Sequence, residues 1–187
     1  MIGVLLIATG KYDIFVQPLI QSLRKHFLPG YQVKTILSQR ELLEQFDYLF
    51  YMDVDMLAVD TIGDEILGDL VAVQHPGFIG KVGTPERRSR SAAYIPRREK
   101  SVYYAGGFQG GRSRLYLDMC HTLHHQIESD RQKGITAIWH DESHLNKYLH
   151  YNKPGIVLSP SYCYPETWER PYVKRLVALD KDHKAMR

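Results

Sequence analysis

Asp47-Tyr48-Leu49-Phe50-Tyr51-Met52-Asp53-Val54-Asp55 is a run of aromatic and aliphatic residues that ends on two carboxylates. An apolar run of this length with polar flanks predicts a buried strand over Asp47 to Met52. Upstream, Ile2 to Ile7 is a second such run, stopped at Thr9-Gly10. Between them, Ile14, Phe15, Leu19, Ile20, Leu23 and Phe27 recur at three- and four-residue steps, the pattern of an amphipathic helix. That helix ends at the breaker Leu28-Pro29-Gly30, and a second is predicted over about Thr35 to Gln45. Strand, helix, helix, strand is α/β order, and in open α/β sheets ligands sit at the carboxyl ends of the strands. Downstream the sequence predicts a strand over Leu70 to Gln74, leading to His75-Pro76-Gly77, and an arginine-rich loop near Lys81 to Lys100. A glycine-broken strand over Val102 to Gly111 follows, then helices over Ser113 to Gln132 and Asp141 to Tyr151. A last strand is expected near Tyr172 to Leu179, before a basic tail. No repeat or linker interrupts residues 1–187, so one domain is expected.

The chain has 187 residues, 44% hydrophobic and 24% charged, the composition of a globular protein. A net charge of +3 suits an anionic small substrate and gives no case for nucleic-acid binding. Cys120 and Cys163 read as free thiols of a reducing compartment. Met1 to Ala8 lacks a basic flank and is too short for a secretory leader or a membrane span. The expectation is a cytoplasmic protein without a membrane segment.

Asp53 and Asp55 stand two apart, so on an extended segment both carboxylates point the same way. Such a pair can hold a hard divalent cation whose other ligands are phosphate oxygens and water. Asp-x-Asp also describes an ordinary solvated strand end. In Trp139-His140-Asp141-Glu142-Ser143-His144 the two histidines have the spacing of a zinc-protease helix, but Asp141 stands where that motif needs Glu. Two other readings stay open: Asp141 as a helix N-cap, or Glu142 as a carboxylate facing a reacting sugar beside Trp139. Gly106-Gly107-Phe108-Gln109-Gly110-Gly111 is not a dinucleotide fingerprint; paired glycines in a strand mark a bulge or a ligand near the backbone. The arginines at 87, 88, 90, 97 and 98 read as a solvated, mobile loop.

Together these segments resemble glycosyltransferase family 6, the family of the ABO blood-group transferases and their soluble bacterial and viral relatives. The matching stretches are Asp47 through Met56, His75-Pro76-Gly77-Phe78, Glu86-Arg87-Arg88, Ala92 through Pro96 and Tyr103 through Gly107. Trp139 through Tyr148, Leu158-Ser159-Pro160 and Lys181 through Lys184 with Arg187 complete the set. The resemblance implies a GT-A fold, a Rossmann-like open mixed sheet flanked by helices. It implies a retaining transfer from a UDP-sugar to a galactosyl, possibly fucosylated, oligosaccharide acceptor, forming an α1,3 linkage.

Residue roles follow from the same resemblance. Ile7, Ala8, Thr9 and Tyr12 match the uridine-binding turn. Asp53 and Asp55, with Val54 between them, match the pair that holds manganese (or magnesium). Ala105, Gly106 and Gly107 match the window that reads the donor sugar, and their small side chains match members that use GalNAc rather than Gal. Asp141 matches a donor contact, and Glu142 the catalytic carboxylate. His75, Thr84 and Trp139 match acceptor contacts. Lys181 and Arg187 match cations that close over the diphosphate.

Two departures qualify the match. Family members carry several dozen more residues, including a strand, between the first helix and the Asp-Val-Asp strand. Here Tyr31-Gln32-Val33 runs straight into Lys34-Thr35-Ile36, so the segment near 33–34 is deleted or lies outside the given sequence. A sheet that lost this strand would be open, which favours the second reading. Where the family often has an acceptor-binding acid, this chain has Tyr164-Pro165-Glu166, and Glu166 is the expected substitute. The competing functional reading is a UDP- or sugar-binding protein of the same fold with impaired catalysis.

Overall fold

The computed structural model describes residues 1–8, 10–36, 43, 45–100 and 102–181. In chain order it contains strand β1 (Ile2–Ile7), helix α1 (Val16–His26), and strands β2 (Val33–Ile36), β3 (Tyr48–Asp53), β4 (Met56–Ala58), β5 (Leu70–Gln74) and β6 (Tyr104–Arg112). Helices α2 (Ser113–Gln132) and α3 (His140–Tyr151) follow, then strands β7 (Ile156–Leu158), β8 (Tyr164–Pro165) and β9 (Leu176–Ala178). Among the described residues no helix is long and apolar enough to cross a membrane.

Six strands form one mixed sheet in the order β2-β1-β3-β6-β5-β7. β1 runs parallel to β2 and β3, β6 runs antiparallel to β3 and β5, and β7 is parallel to β5. Each side of the sheet carries its own core. Leu19, Leu23 and Phe27 of α1 and the turn after it pack with Val4, Leu6, Phe50 and Met52 on one face. On the other, Tyr116 and Met119 of α2 and Leu145 and Leu149 of α3 pack with Leu49, Ala72 and Tyr104. Alternate residues of β3 therefore feed opposite layers, as the period of two requires. Coverage on both faces explains why β1 and β3 read as continuous apolar runs.

The glycine pairs in β6 have a packing cause. A Cβ at Gly110 would lie 2.2 Å from the Phe50 ring and 2.5 Å from the Leu49 carbonyl, so only glycine lets β6 pair with β3 here. Phe50 is fully buried, stacked on Phe108 at 5.7 Å and edge-on to Phe27 at 5.9 Å.

The structure corrects two sequence expectations on the fold. The predicted helix from Thr35 begins instead as β2, with Thr35 and Ile36 paired to Val4 and Leu5, while residues 37–42 and 44 lie outside the described residues. β2 spans the 33–34 junction and forms the sheet's edge beside β1. A small sheet, β4-β9-β8, also forms. β9 falls within the strand expected near Tyr172 to Leu179, whereas β4 and β8, of three and two residues, were missed because they are too short for a periodicity to register.

Because Phe50 joins three aromatic rings across the sheet's main core, Phe50→Ala should lower unfolding free energy by about 3–5 kcal/mol. Urea denaturation of both proteins checks this; a loss below about 1 kcal/mol would mean the site collapses to fill the space.

Candidate active site

Parallel pairing sets Ile7, the last residue of β1, against Asp53, the last residue of β3. The two strand ends, with Tyr12, Val54, Asp55 and Lys181, line a cavity of about 220 Å³. The strand expected over Asp47 to Met52 is observed as β3, but the Asp pair does not sit on one extended segment: Val54 and Asp55 form a turn into β4. Both carboxylates nevertheless line the cavity. The Tyr51 hydroxyl donates to Asp53 Oδ1 at 2.7 Å, and the Lys181 ammonium donates to Asp55 Oδ2. Lys181 also lies over the Tyr12 ring, 4.9 Å from its centroid. Burial pushes the Asp53 carboxyl above the usual range, and the negative charges of Asp55 and Asp141 add to the rise.

This donor set fits a hard divalent ion. Among the described residues no group of three His, Cys, Asp or Glu converges, so the protein would offer two carboxylates and leave other positions to ligand oxygens and water. The cation already seated on Asp55 is the lysine ammonium, which marks the position as one that demands positive charge.

Glu142 stands in the first turn of α3, facing the start of β6. Its Oε1 accepts from the Tyr103 hydroxyl at 2.8 Å, and its Oε2 from the Gly106 amide at 2.9 Å. Burial raises its carboxyl, while these two donors favour the ionised form. Asn146, one turn further along α3, clips the helix to β6: its side chain donates to the Tyr104 carbonyl and accepts from the Tyr104 amide, each at 2.8 Å. Gly107 bridges the two carboxylate centres. A Cβ there would lie 3.2 Å from Asp53 Oδ2 and 3.3 Å from Cys163 Sγ. Cys163 is buried and its thiol is pushed up to about 12, chiefly by that burial. Both cysteines are free.

The third group surrounds Tyr103. Trp139 Nε1 donates to the Thr84 hydroxyl at 2.7 Å, and the Tyr103 hydroxyl donates to Glu142. The His75 ring packs on Tyr103 at 5.7 Å. Its Nδ1 accepts the Gly77 amide at 3.1 Å, which leaves the proton on Nε2, and burial lowers the tendency of the ring to protonate. Trp168 lies against the same turn.

The sequence-derived residues thus fall into linked clusters. Ile7, Tyr12, Asp53, Val54, Asp55 and Lys181 share the cavity. Gly106, Gly107 and Glu142 join it to His75, Thr84 and Trp139, and Ala105 is buried one place before Gly106. Ala8 follows Ile7 at the strand end, while Thr9 and Arg187 lie outside the described residues. Asp141 is exposed in the first turn of α3. It is not the N-cap: that position is Trp139, whose amide donates to Ser143 Oγ at 3.0 Å. Glu166 is exposed, and its carboxylate accepts the Asp180 amide at 2.9 Å, which ties it to the segment leading to Lys181.

The zinc-helix reading fails in geometry, since His144 is buried with Nε2 3.7 Å from Asp130, whereas His140 is exposed. Nor are all the loop arginines free. Arg87 donates to the Ile95 and Pro96 carbonyls, and Arg88 to Glu86 and the Thr136 carbonyl. Tyr51 and Asn146 were missed although both had a signal: Tyr51 stands two before Asp53 on the same strand face, and Asn146 stands four after Glu142 on the same helix face.

Comparison with known proteins gives a consistent result. Residues 34–187 match the model of glycosyltransferase family 6, starting at the far side of the 33–34 junction. The chain is 45% identical to histo-blood group ABO system transferase 1 of Rattus norvegicus, over 80% of this chain and 45% of that protein. It is 31% identical to globoside alpha-1,3-N-acetylgalactosaminyltransferase 1 of Gallus gallus, over all of this chain and 69% of the relative. That alignment runs over 236 positions, more than the 187 residues here. O-antigen biosynthesis glycosyltransferase WbnI of Escherichia coli is 29% identical over 76% of this chain and 63% of its own. The chain spans under half the length of the rat protein. The six-stranded mixed sheet between helices agrees with the GT-A type of fold.

Glu86 ties the arginine-rich loop to the segment before α3. Only 2% exposed, it accepts from Arg88 Nε at 3.0 Å, Arg88 Nη2 at 2.5 Å, the Arg88 amide at 2.8 Å and the Ile138 amide at 2.9 Å. The Arg88 hydrogen bonds hold its carboxyl down to about 2. Glu86→Gln should cost about 1–3 kcal/mol at pH 7. A depressed native value means the stabilisation is complete above the unfolded value of about 4.3 and is lost as pH falls towards about 2. The gap between parent and variant in urea titrations should therefore close across that window. A gap independent of pH would show that the charge of Glu86 is not what stabilises the loop.

Proposed function

The chain belongs to glycosyltransferase family 6, and on that premise we propose that it moves GalNAc, in preference to Gal, from a UDP-sugar to a galactosyl acceptor with retention. The observation that carries this reading is Gly107, which stands against Asp53 one residue after Gly106 donates to Glu142. A sugar seated on this glycine window would have its diphosphate beside Asp53 and Asp55 and its anomeric carbon beside Glu142.

In this account Ile7 and Tyr12 cradle the nucleoside, and Asp53 and Asp55 hold a manganese or magnesium ion. Bound there, such an ion supplies Lewis-acid stabilisation of the departing diphosphate. Asp55 must release the Lys181 ammonium to take its share, and the freed lysine is then placed to meet the phosphates and help exclude water. Tyr103 and the Gly106 amide orient Glu142, whose carboxylate acts as nucleophile or opposes the positive charge that develops at the anomeric carbon. His75, Thr84, Trp139 and Trp168 wall the acceptor side, and the His75 Nε2–H is a donor for a sugar hydroxyl. The GalNAc preference rests on the small side chains at Ala105-Gly106-Gly107 and on the activity for which the Gallus gallus relative is named.

Product formation from UDP-GalNAc and UDP-Gal, with and without Mn²⁺, tests the proposal on fucosylated and plain galactosides. The parent should require the metal and turn over UDP-GalNAc faster. Glu142→Gln should lose at least about a hundredfold in kcat, while UDP affinity in Mn²⁺ stays within about threefold. Parent protein that binds UDP but forms no product would instead identify a binding protein, and an active Glu142→Gln variant would remove Glu142 from the chemistry.

A further inference from the structure

His121, His124 and His125 lie on the exposed face of α2, away from the site above. His121 and His125 are one helical turn apart, and their Nε2 atoms face each other at 3.1 Å, with the rings edge-on at 86°. From these contacts we infer that α2 carries a surface chelate for a late first-row divalent cation such as Zn²⁺, Ni²⁺ or Cu²⁺, distinct from the carboxylate pair at Asp53 and Asp55.

The distance supports this. Metal–imidazole bonds of about 2.0–2.1 Å place two ligand nitrogens about 3.3–3.4 Å apart on a tetrahedral ion and about 2.8–3.0 Å apart at a right angle. The observed separation falls between these, so the spacing already suits a chelate, and the rings need only turn until both Nε2 lone pairs converge on the ion. Without metal, the two nitrogens can approach this closely only by sharing a proton, one ring donating to the other. Chelation therefore exchanges that proton for the cation.

The surroundings set the number of protein ligands. Glu128, one turn on, is held by Arg131 through contacts of 2.7–3.1 Å. His124 projects beside His125, with ring centroids 5.6 Å apart, and is not turned into the pair. Two imidazoles would thus bind the ion, and water would fill the rest. Ligand chemistry separates the two sites. Imidazole favours Zn²⁺, Ni²⁺ and Cu²⁺ over Mn²⁺ and Mg²⁺, whereas the Asp53–Asp55 oxygens suit the harder ions.

Zn²⁺ titrations against a competing chromogenic chelator, on protein without an affinity tag, test the inference. In an Asp53→Asn/Asp55→Asn background, which removes the carboxylate pair as a competing zinc ligand, one Zn²⁺ per chain should bind, and His121→Ala and His125→Ala should each weaken it at least about tenfold, because each removes the intramolecular second ligand. His124→Ala should leave it unchanged. All three histidines are exposed, and matching far-UV circular dichroism would establish that each variant is folded. Unaltered Zn²⁺ affinity in the His121→Ala/His125→Ala double variant would overturn the inference, as would an equal loss in His124→Ala.

Discussion

The antiparallel pairing of β3 with β6 is the constraint on which the site depends. Phe50 opposite Gly110 and Met52 opposite Phe108 fix the register, and that register sets Gly107 against Asp53 at the end of β3, with Gly106 beside it against Glu142. A side chain at Gly110 would meet the Phe50 ring and force the strands apart, and the glycine window would leave the carboxylate pair with them. α3 then joins by a second clamp, since Asn146 takes both backbone groups of Tyr104. Glu142, one turn earlier, is thereby held on the Gly106 amide. Strand pairing thus places the Asp53–Asp55 carboxylate pair, and helix docking places Glu142 on the neighbouring glycine.

Negative charge is concentrated at the assembled site. Asp53, Asp55, Asp141 and Glu142 are close enough that the carboxyls of Asp53 and Glu142 are raised by burial and then by one another's neighbours. A UDP-sugar would add the negative charge of its diphosphate to the same place. In the ligand-free chain the Lys181 ammonium and the Tyr51 and Tyr103 hydroxyls answer these carboxylates. Neutral donors orient a carboxylate but cannot offset a diphosphate beside it, which is the physical ground for the proposed divalent ion on Asp53 and Asp55.

Much of this was legible in the residues. β1, β3, β5, α2 and α3 follow from apolar periodicity, and Asp53-Val54-Asp55 at a strand end follows from the α/β order. Long-range contacts were not legible. Thr35 and Ile36 fit a helix locally but pair with β1, because an open sheet edge beside an apolar strand outweighs a weak helical pattern. The arginine-rich loop read as solvated because nothing local reveals that Arg88 meets Glu86 and that Glu86 receives the Ile138 amide 52 residues away. Roles for Glu142, Lys181 and the glycine window came from family resemblance; the residue pattern itself left Asp141 and Glu142 open between a cap and a catalytic group.

The central claim is that Asp53 and Asp55 together hold a divalent cation at the end of β3. Its most direct test is the Mn²⁺-binding isotherm, read from the electron paramagnetic resonance signal of free Mn²⁺ in the presence of UDP. The account predicts one Mn²⁺ per chain, with affinity reduced at least about tenfold in Asp53→Asn and again in the Asp53→Asn/Asp55→Asn double variant. An isotherm in the double variant that superimposes on the parent's would contradict it.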